Sequence, residues 1–358
     1  MLKFHALKVK DRMEPAEDAV CLSFEVPPEL RDAYRFEAGQ HLGLRLDVDG
    51  QEARRTYSIV CPPHAGELRI GVRVQPGGTV SRYLAERVRV GEALDVLTPN
   101  GSFHTQLEPQ RAKSYVAFAA GSGITPVLSI AATVLEAEPL SRFVLIYGNR
   151  STARAMFLEE LLALKDRYLA RFAIHFVMSR EPQEIELFNG RLDAAKVREL
   201  AASVFDPAAV DEFFLCGPGT MVDDVSQTLR AIGAAGRIHT ELFTTSGAAA
   251  TASRAPAPET TRSAGLAEIA VVLDGRRRVF SMATDGEPIL DAAERAGLEL
   301  PFSCRAGVCS TCRTKVVQGS VDMAQNFALE DWEVEAGYVL CCQSRPTSAQ
   351  VEITYDER

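Results

Sequence analysis

The first ten residues, Met1-Leu-Lys-Phe-His-Ala-Leu-Lys-Val-Lys10, alternate apolar and polar with the period of a half-buried strand. Similar short runs follow at Val20–Val26, His41–Val48, Arg55–Val60, Glu67–Val74 and Ala93–Leu97, punctuated by Asp49-Gly50, Pro62-Pro63 and Pro76-Gly77-Gly78. Short strands divided by turn residues predict an antiparallel barrel or sandwich over residues 1–108. From Lys113 the rhythm changes. A strand-like run, Tyr115–Ala120, leads into Gly121-Ser-Gly123 and a helical run, Pro126–Ala137; strand Phe143–Tyr147, helix Ala155–Leu169 and strands Ala173–Met178 and Glu212–Cys216 come after. This alternation predicts a parallel α/β sheet over 109–243. Residues 244–265 contain no Val, Ile, Leu, Met or aromatic side chain, so they cannot fill a core, and their Ala, Pro, Thr and Ser content predicts a flexible linker. Short strands and one helix, Pro288–Ala296, predict a third domain over 266–358.

Length agrees with that division, because 358 residues exceed what one core supports. The net charge of −9 argues against nucleic-acid or anionic-lipid partners. No apolar run reaches the ~18–20 residues of a membrane span, and the first residues hold no apolar signal core, so a cytoplasmic location is expected. The 266–358 segment carries 15 acidic and 9 basic residues, most of the chain's negative charge. Glu330, Asp331, Glu333 and Glu335 stand together in it, either as a solvated helix start or as a docking face for a basic partner.

Five of the eight cysteines fall in the last 55 residues. In a reducing compartment such a cluster points to metal or redox chemistry rather than to disulfides. Residues 304–312 read Cys-Arg-Ala-Gly-Val-Cys-Ser-Thr-Cys, a C-x₄-C-x₂-C loop, with a fourth cysteine about thirty residues on. Four thiolates so spaced hold a [2Fe–2S] cluster, whereas structural zinc usually takes two separate C-x₂-C knuckles. Cys304, Cys309 and Cys312 are the first three candidate ligands. Chemistry alone leaves the fourth open between the adjacent Cys341 and Cys342. Cys21 and Cys61 read as buried small side chains.

Three further motifs gain force from their order. In Arg55-Thr-Tyr-Ser58, Arg55 suits a phosphate, Tyr57 a flavin ring face and the Ser58 hydroxyl the ring's N5. Arg73 closes the next strand-like run and joins them as a cofactor-binding candidate. Gly77 and Gly78 then bare the backbone before Ser81, at a helix start suited to a pyrophosphate. Gly121-Ser-Gly-Ile-Thr-Pro126 follows a buried strand and opens a helix, which suits a dinucleotide phosphate; Gly121, Gly123, Thr125 and Pro126 are its candidates, with Pro126 at the place of a third glycine. The strand ending at Tyr147 is followed by Arg150, and the next by Ser179-Arg180, with no acid placed for a ribose hydroxyl. These favour the 2′-phosphate of NADPH, with NADH the alternative. Cys216-Gly217-Pro218 ends a further strand at the ligand edge of the sheet.

Taken in order, these motifs resemble the ferredoxin–NADP reductase superfamily over 1–243, with a plant-type [2Fe–2S] ferredoxin appended over 266–358. The resemblance implies an antiparallel β-barrel flavin domain, an α/β parallel-sheet nicotinamide domain and an α+β, β-grasp ferredoxin domain. It implies FAD, NADPH and a [2Fe–2S] cluster as cofactors, Ser58, Cys216 and Glu241 as catalytic residues, and Phe243 of Glu241-Leu-Phe243 as the aromatic shield of the flavin. It also makes Cys342, fifth in Tyr338-Val-Leu-Cys-Cys342, the fourth iron ligand. More narrowly, Phe302–Cys312 and Ala328–Leu340 look like the reductase subunits of bacterial phenylacetyl-CoA epoxidases.

The expected activity is transfer of electrons from NADPH through FAD and the cluster to separate oxygenase subunits. A phenylacetyl-CoA epoxidase complex, acting in phenylacetate catabolism, is the leading acceptor. Another di-iron or Rieske oxygenase and a hybrid-cluster protein are alternatives, as is a redox sensor without turnover or a zinc-bearing binding module. No Glu-x-x-His pair for a di-iron site occurs in the chain, so oxygen chemistry is expected on another subunit.

Overall fold

The computed structural model describes residues 3–243 and 265–357, in two compact bodies: residues 4–243 and a carboxy-terminal unit. The expected linker lies outside the described residues apart from Gly265.

The first half of residues 4–243 is a six-stranded antiparallel sheet. Its strands are β1 (Phe4–Ala16), β2 (Ala19–Glu25), β3 (His41–Val48), β4 (Gln51–Ser58), β5 (Arg69–Arg73) and β6 (Ala93–Leu97), with helix α1 (Thr79–Glu86) after β5. The order is β4-β3-β6-β1-β2-β5, and a bridge between Ile59 and Ile70 joins the two ends. That bridge closes the sheet into a barrel and removes its free edges. The interior is filled by alternate residues such as Leu7, Leu22, Leu42, Leu44, Ile70 and Val96. The first strand continues six residues beyond Lys10, and the strand carrying Ser58 starts at Gln51 rather than Arg55. Exposed Gln51 and Glu52 hide the latter from a hydrophobicity pattern.

The second half is a parallel sheet in the order β11-β10-β7-β8-β9. Its elements are β7 (Ser114–Ala120), α2 (Ile124–Ala137), β8 (Arg142–Asn149), α3 (Leu158–Arg167), β9 (Phe172–Met178), α4 (Ala194–Ser203), β10 (Glu212–Gly217), α5 (Gly219–Ala231) and β11 (Arg237–Leu242). Fully buried Tyr115, Phe143, Tyr147, Phe172 and Phe214 dominate its core, and each contributes roughly 1.5–3 kcal/mol through burial. The order reverses between β7 and β10, and ligands bind outside the carboxyl ends of strands at such a switch point.

Strand β5 joins the halves. Arg69 grips Glu160 of α3 with two bonds, at 3.1 and 2.9 Å. Four positions on, Arg73 donates to the Arg154 carbonyl at 2.7 Å and to Asp18, which also pairs with Arg154. At the opposite end of the sheet, Glu138 is fully buried and accepts from the Glu108 N–H, the Tyr115 hydroxyl and the Ser141 hydroxyl, clasping the connection between the halves.

The carboxy-terminal unit has the mixed sheet β13-β12-β18-β14-β16, in which β12 (Leu266–Leu273) and β18 (Gln350–Thr354) run parallel. The others are β13 (Arg276–Ala283), β14 (Arg313–Gln318) and β16 (Tyr338–Leu340), with a small ribbon of β15 (Val321–Met323) and β17 (Ser344–Pro346). Helix α6 (Ile289–Arg295) lays Ile289, Leu290, Ala292 and Ala293 into its core, which is a β-grasp arrangement. Helix α7 (Asp331–Glu335) places the four acids at a helix start, one of the two readings of them. Glu333 is 2% exposed and paired with Arg313 at 2.8 Å, while Glu330 caps the helix and accepts from the Trp332 indole N–H. Two of the four acids are therefore structural.

Candidate functional site

Strand pairing assembles the first site. His41 and Ser58 stand directly opposite each other across β3 and β4, and Cys216 and Glu241 do so across β10 and β11. The two pairs meet on the Glu241 carboxylate. The Ser58 hydroxyl donates to Oε2 at 3.1 Å, and the Cys216 sulfur lies 3.9 Å from that oxygen. His41 Nδ1 is 3.8 Å from Oε1. Burial first, then the neighbouring carboxylate, pushes the Cys216 thiol well up, so it is held as a thiol. The structure thus brings together the three residues expected to be catalytic and adds His41, which sequence reasoning missed. Its only sequence signal is a polar residue at the head of an apolar strand run, and the pairing that gives it meaning is non-local.

The phosphate candidates lie on the loops around this cluster. Gly123 must be glycine, because a β-carbon there would sit 2.0 Å from the Cys216 carbonyl oxygen; the turn after β7 rests on the end of β10. Helices α1 and α2 both start without a side-chain cap, at Gly78 and Gly123, leaving first-turn N–H groups for a ligand. Ser81 accepts from the Gln75 N–H at 3.1 Å and fixes the Gly77-Gly78 turn. Thr125 is buried and spends its hydroxyl on the Ser122 carbonyl at 3.0 Å, and Pro126 is buried beside it in α2. Tyr57 is half-buried on β4, Arg55 is exposed next to it, and Phe243 packs against the parallel-sheet core. Gly217 and Pro218 lead from β10 into α5.

Two buried donors lack partners there. Arg73 Nε has none and stands 3.8 Å from where a side chain at Gly121 would begin, and Asn149 Nδ2 has none at the end of β8. Arg180 N–H bonds the Arg150 carbonyl at 2.9 Å, so the two exposed arginines flank one edge, beside Ser179. Glu181, the nearest acid, is occupied by the Thr152 hydroxyl and N–H, which hold its carboxyl below the usual range. Free amide groups, the unpartnered Nε of Arg73 and the exposed arginines suit the phosphates of a flavin and a pyridine dinucleotide. A hollow of about 320 Å³ lined by Lys113, Asp211, Glu212 and Arg237 opens at the amino ends of β10 and β11, away from these motifs.

The second site is the cysteine loop. Cys304 lies within hydrogen-bonding reach of Cys309, and Cys312 of Cys342. Among the described residues no three His, Cys, Asp or Glu side chains converge as for a single metal ion. Two thiol pairs instead suit a binuclear cluster in which each iron takes two cysteines. Arg305, Gly307 and Ser310 all have positive φ, of 54°, 76° and 47°, two of them without the freedom of glycine. That strained backbone turns N–H groups inward: Ala306 N–H bonds the Cys304 sulfur at 3.4 Å, and Cys304 N–H the Cys309 sulfur at 3.5 Å. The Cys309 thiol, then the Ala306, Val308 and Cys309 N–H groups, draw the Cys304 thiol down against the effect of burial. Cys341 faces the other way, into the core against Tyr355, and burial pushes its thiol up to about 12.

These two sites on these folds define a flavin- and pyridine-nucleotide-dependent oxidoreductase that carries its own ferredoxin-type module. Residues 6–105 match the oxidoreductase FAD-binding domain family, 118–227 the oxidoreductase NAD-binding domain family and 271–347 the 2Fe-2S iron-sulfur cluster binding domain family. The chain is 42% identical to one of the subunits of the 1,2-phenylacetyl-CoA epoxidase of Escherichia coli, covering 100% of this chain and 99% of the relative. It is 32% identical to the ferredoxin reductase component of 3-ketosteroid-9-alpha-monooxygenase of Rhodococcus rhodochrous, covering 98% and 96%. Among solved structures, phthalate dioxygenase reductase matches with a TM-score of 0.58 at 25% identity, over 98% of both chains. The chain belongs to the family of reductase components of multicomponent oxygenases. No helix among the described residues is long and apolar enough to cross a membrane.

Proposed function

We propose that this chain takes electrons from NADPH and delivers them to the oxygenase subunits of a phenylacetyl-CoA epoxidase in aerobic phenylacetate catabolism, within the cytoplasm. The observation that carries the choice of acceptor is the 42% identity to a component of such an epoxidase over the whole chain. Bound FAD supplies the conversion between a two-electron hydride and the one-electron traffic of an iron–sulfur cluster.

The chain's own residues position and tune. Tyr57 and Phe243 provide faces for the flavin ring, and Arg55 with the starts of α1 and α2 provides for phosphates. Ser58 donates its hydroxyl proton to Glu241 and thereby points its oxygen lone pairs outward, ready to accept from a cofactor N–H. Neutral Cys216 offers a small, polarisable wall where the nicotinamide must approach, without adding a charge that would repel hydride. Arg73, Arg150, Ser179 and Arg180 mark the dinucleotide path, the last three favouring a 2′-phosphate. Cys304 with Cys309 and Cys312 with Cys342 would hold the two irons. The domain limits 1–108, 109–243 and 266–358 follow the same division of labour.

The test is reconstitution. Epoxidase subunits stripped of their reductase should turn over phenylacetyl-CoA with NADPH once this chain is added. If they stay idle while a Rieske oxygenase is served, the acceptor assignment is wrong.

A further inference from the structure

The function above gives work to Ser58, Cys216 and Glu241 and none to His41, although His41 completes the cluster. The backbone that carries the ring is placed firmly: the His41 amide N–H donates to the Asn100 carbonyl at 2.8 Å, and the Asn100 amide N–H returns a bond to the His41 carbonyl at 3.0 Å. The next residue, Gly101, leaves room for the imidazole, since a β-carbon there would stand 2.9 Å from Nδ1. The residue is 5% exposed, and Nε2 is buried without a hydrogen-bond partner. Buried polar atoms are paired as a rule, and a leucine or phenylalanine would fill this space without leaving one unpaired. What the imidazole adds is a nitrogen turned to a carboxylate.

Directly paired residues put their side chains on one face of a sheet, so His41 and Ser58 approach Glu241 together. They take different oxygens: Oε1 faces His41 at 3.8 Å and Oε2 accepts from Ser58 at 3.1 Å. A separation of 3.8 Å is too long for a hydrogen bond and close enough for electrostatic attraction between the imidazole and the carboxylate. The titratable groups that share the cluster are Glu241 from β11 and Cys216 from β10; Ser58 from β4 and the Asn100–Gly101 backbone add neutral groups.

We infer that His41 is the positioning residue for Glu241: the imidazole holds Oε1 at the barrel wall and so keeps Oε2 on Ser58 and Cys216. The inference rests on the proposed role of Glu241 at the flavin–nicotinamide junction. Without His41 the carboxylate keeps one anchor, can rotate about its last bond, and orients the Ser58 hydroxyl less firmly.

Stopped-flow reduction of the flavin by NADPH in the full-length, flavin-loaded chain tests it. His41→Leu should slow the step about 10- to 100-fold, the scale of a misplaced catalytic group, with KM for NADPH nearly unchanged. His41→Gln, which keeps an N–H donor, should regain most of the rate. In a Glu241→Gln background the carboxylate is already gone, so adding His41→Leu should slow the step by less than about twofold further. Equal rates in wild type and His41→Leu, or a full further loss in the double variant, would overturn the inference. Should His41→Leu not fold, His41→Phe, which keeps a ring without nitrogens, takes its place in the same comparison. Should the purified chain bind no flavin, the functional reading fails, and crystal structures of the flavin-free wild type and His41→Leu still judge the contact: the Glu241 carboxylate should leave Ser58 only in the variant.

Discussion

The cysteine site draws three of its four thiols from nine consecutive residues, Cys304–Cys312, whereas the cluster around Glu241 draws one side chain from each of four strands, between His41 and Glu241. The first is shaped by local backbone, with positive φ at Arg305, Gly307 and Ser310 turning N–H groups onto sulfur. The second depends on two sheets being closed, registered and packed on each other through Arg69–Glu160 and the Asp18 ion pairs. A local site is strongly altered by changes within its loop. A site built from four strands also responds to changes far from it.

The largest effect should separate neighbours. Cys342→Ser is expected to abolish cluster assembly and acceptor reduction, read as iron per chain against the roughly two expected. Cys341→Ser should keep its iron and lose about 1–3 kcal/mol of stability, from a hydroxyl buried in place of a thiol. Iron lost equally from both would break the assignment of the paired thiols.

At the other site, Ser58→Ala should slow flavin reduction by NADPH about 100-fold in stopped flow, with iron content and melting temperature unchanged. A slowing of less than about threefold would remove Ser58 from the working cluster.

The strand ends most distant from that cluster offer a third test. Glu212 opens β10, and burial works against its charge, but bonds from His239, Thr105 and Lys113 prevail and hold its carboxyl at about 2 instead of 4.5. A carboxylate lowered on folding stabilises above its unfolded value, and that contribution disappears as pH falls from about 4.5 towards 2. About 2–3 kcal/mol should go in that window. Denaturation of residues 4–243 at pH 6 and pH 3 should show the loss, and Glu212→Gln should remove most of the pH dependence. An unchanged slope in the variant would contradict the network.

The smallest expected effect concerns the exposed edge. Arg180→Ala should raise KM for NADPH about 10-fold and leave KM for NADH nearly unchanged, as befits one solvent-exposed phosphate contact. Equal increases for both coenzymes would assign Arg180 to the shared pyrophosphate.

Legibility followed the same contrast. The C-x₄-C-x₂-C loop, the strand His41–Val48 and the strand Ala93–Leu97 could be read directly, because spacing and period are local properties. Helices α4 and α5 and strand β11 escaped, since half-polar runs such as Gly219–Ala231 acquire their meaning only from the sheet they cover. Ser58, Cys216 and Glu241 were expected through resemblance to a family, but not His41, nor the meeting of all four on the Glu241 carboxylate. The four acids before Cys342 were read as a helix start or a docking face; a helix does start there, but composition does not reveal that Glu333 turns inward to Arg313.

In the proposed route a hydride enters at the Glu241 cluster and electrons leave through the cysteine site of the same chain. Anaerobic mixing of the purified full-length protein with NADPH, followed by low-temperature EPR, reads both ends of that route at once. Bleaching of the flavin should come together with the signal of a reduced [2Fe–2S] cluster. An iron-replete protein that bleaches its flavin and shows no such signal, or one that carries zinc in place of iron, would refute the route.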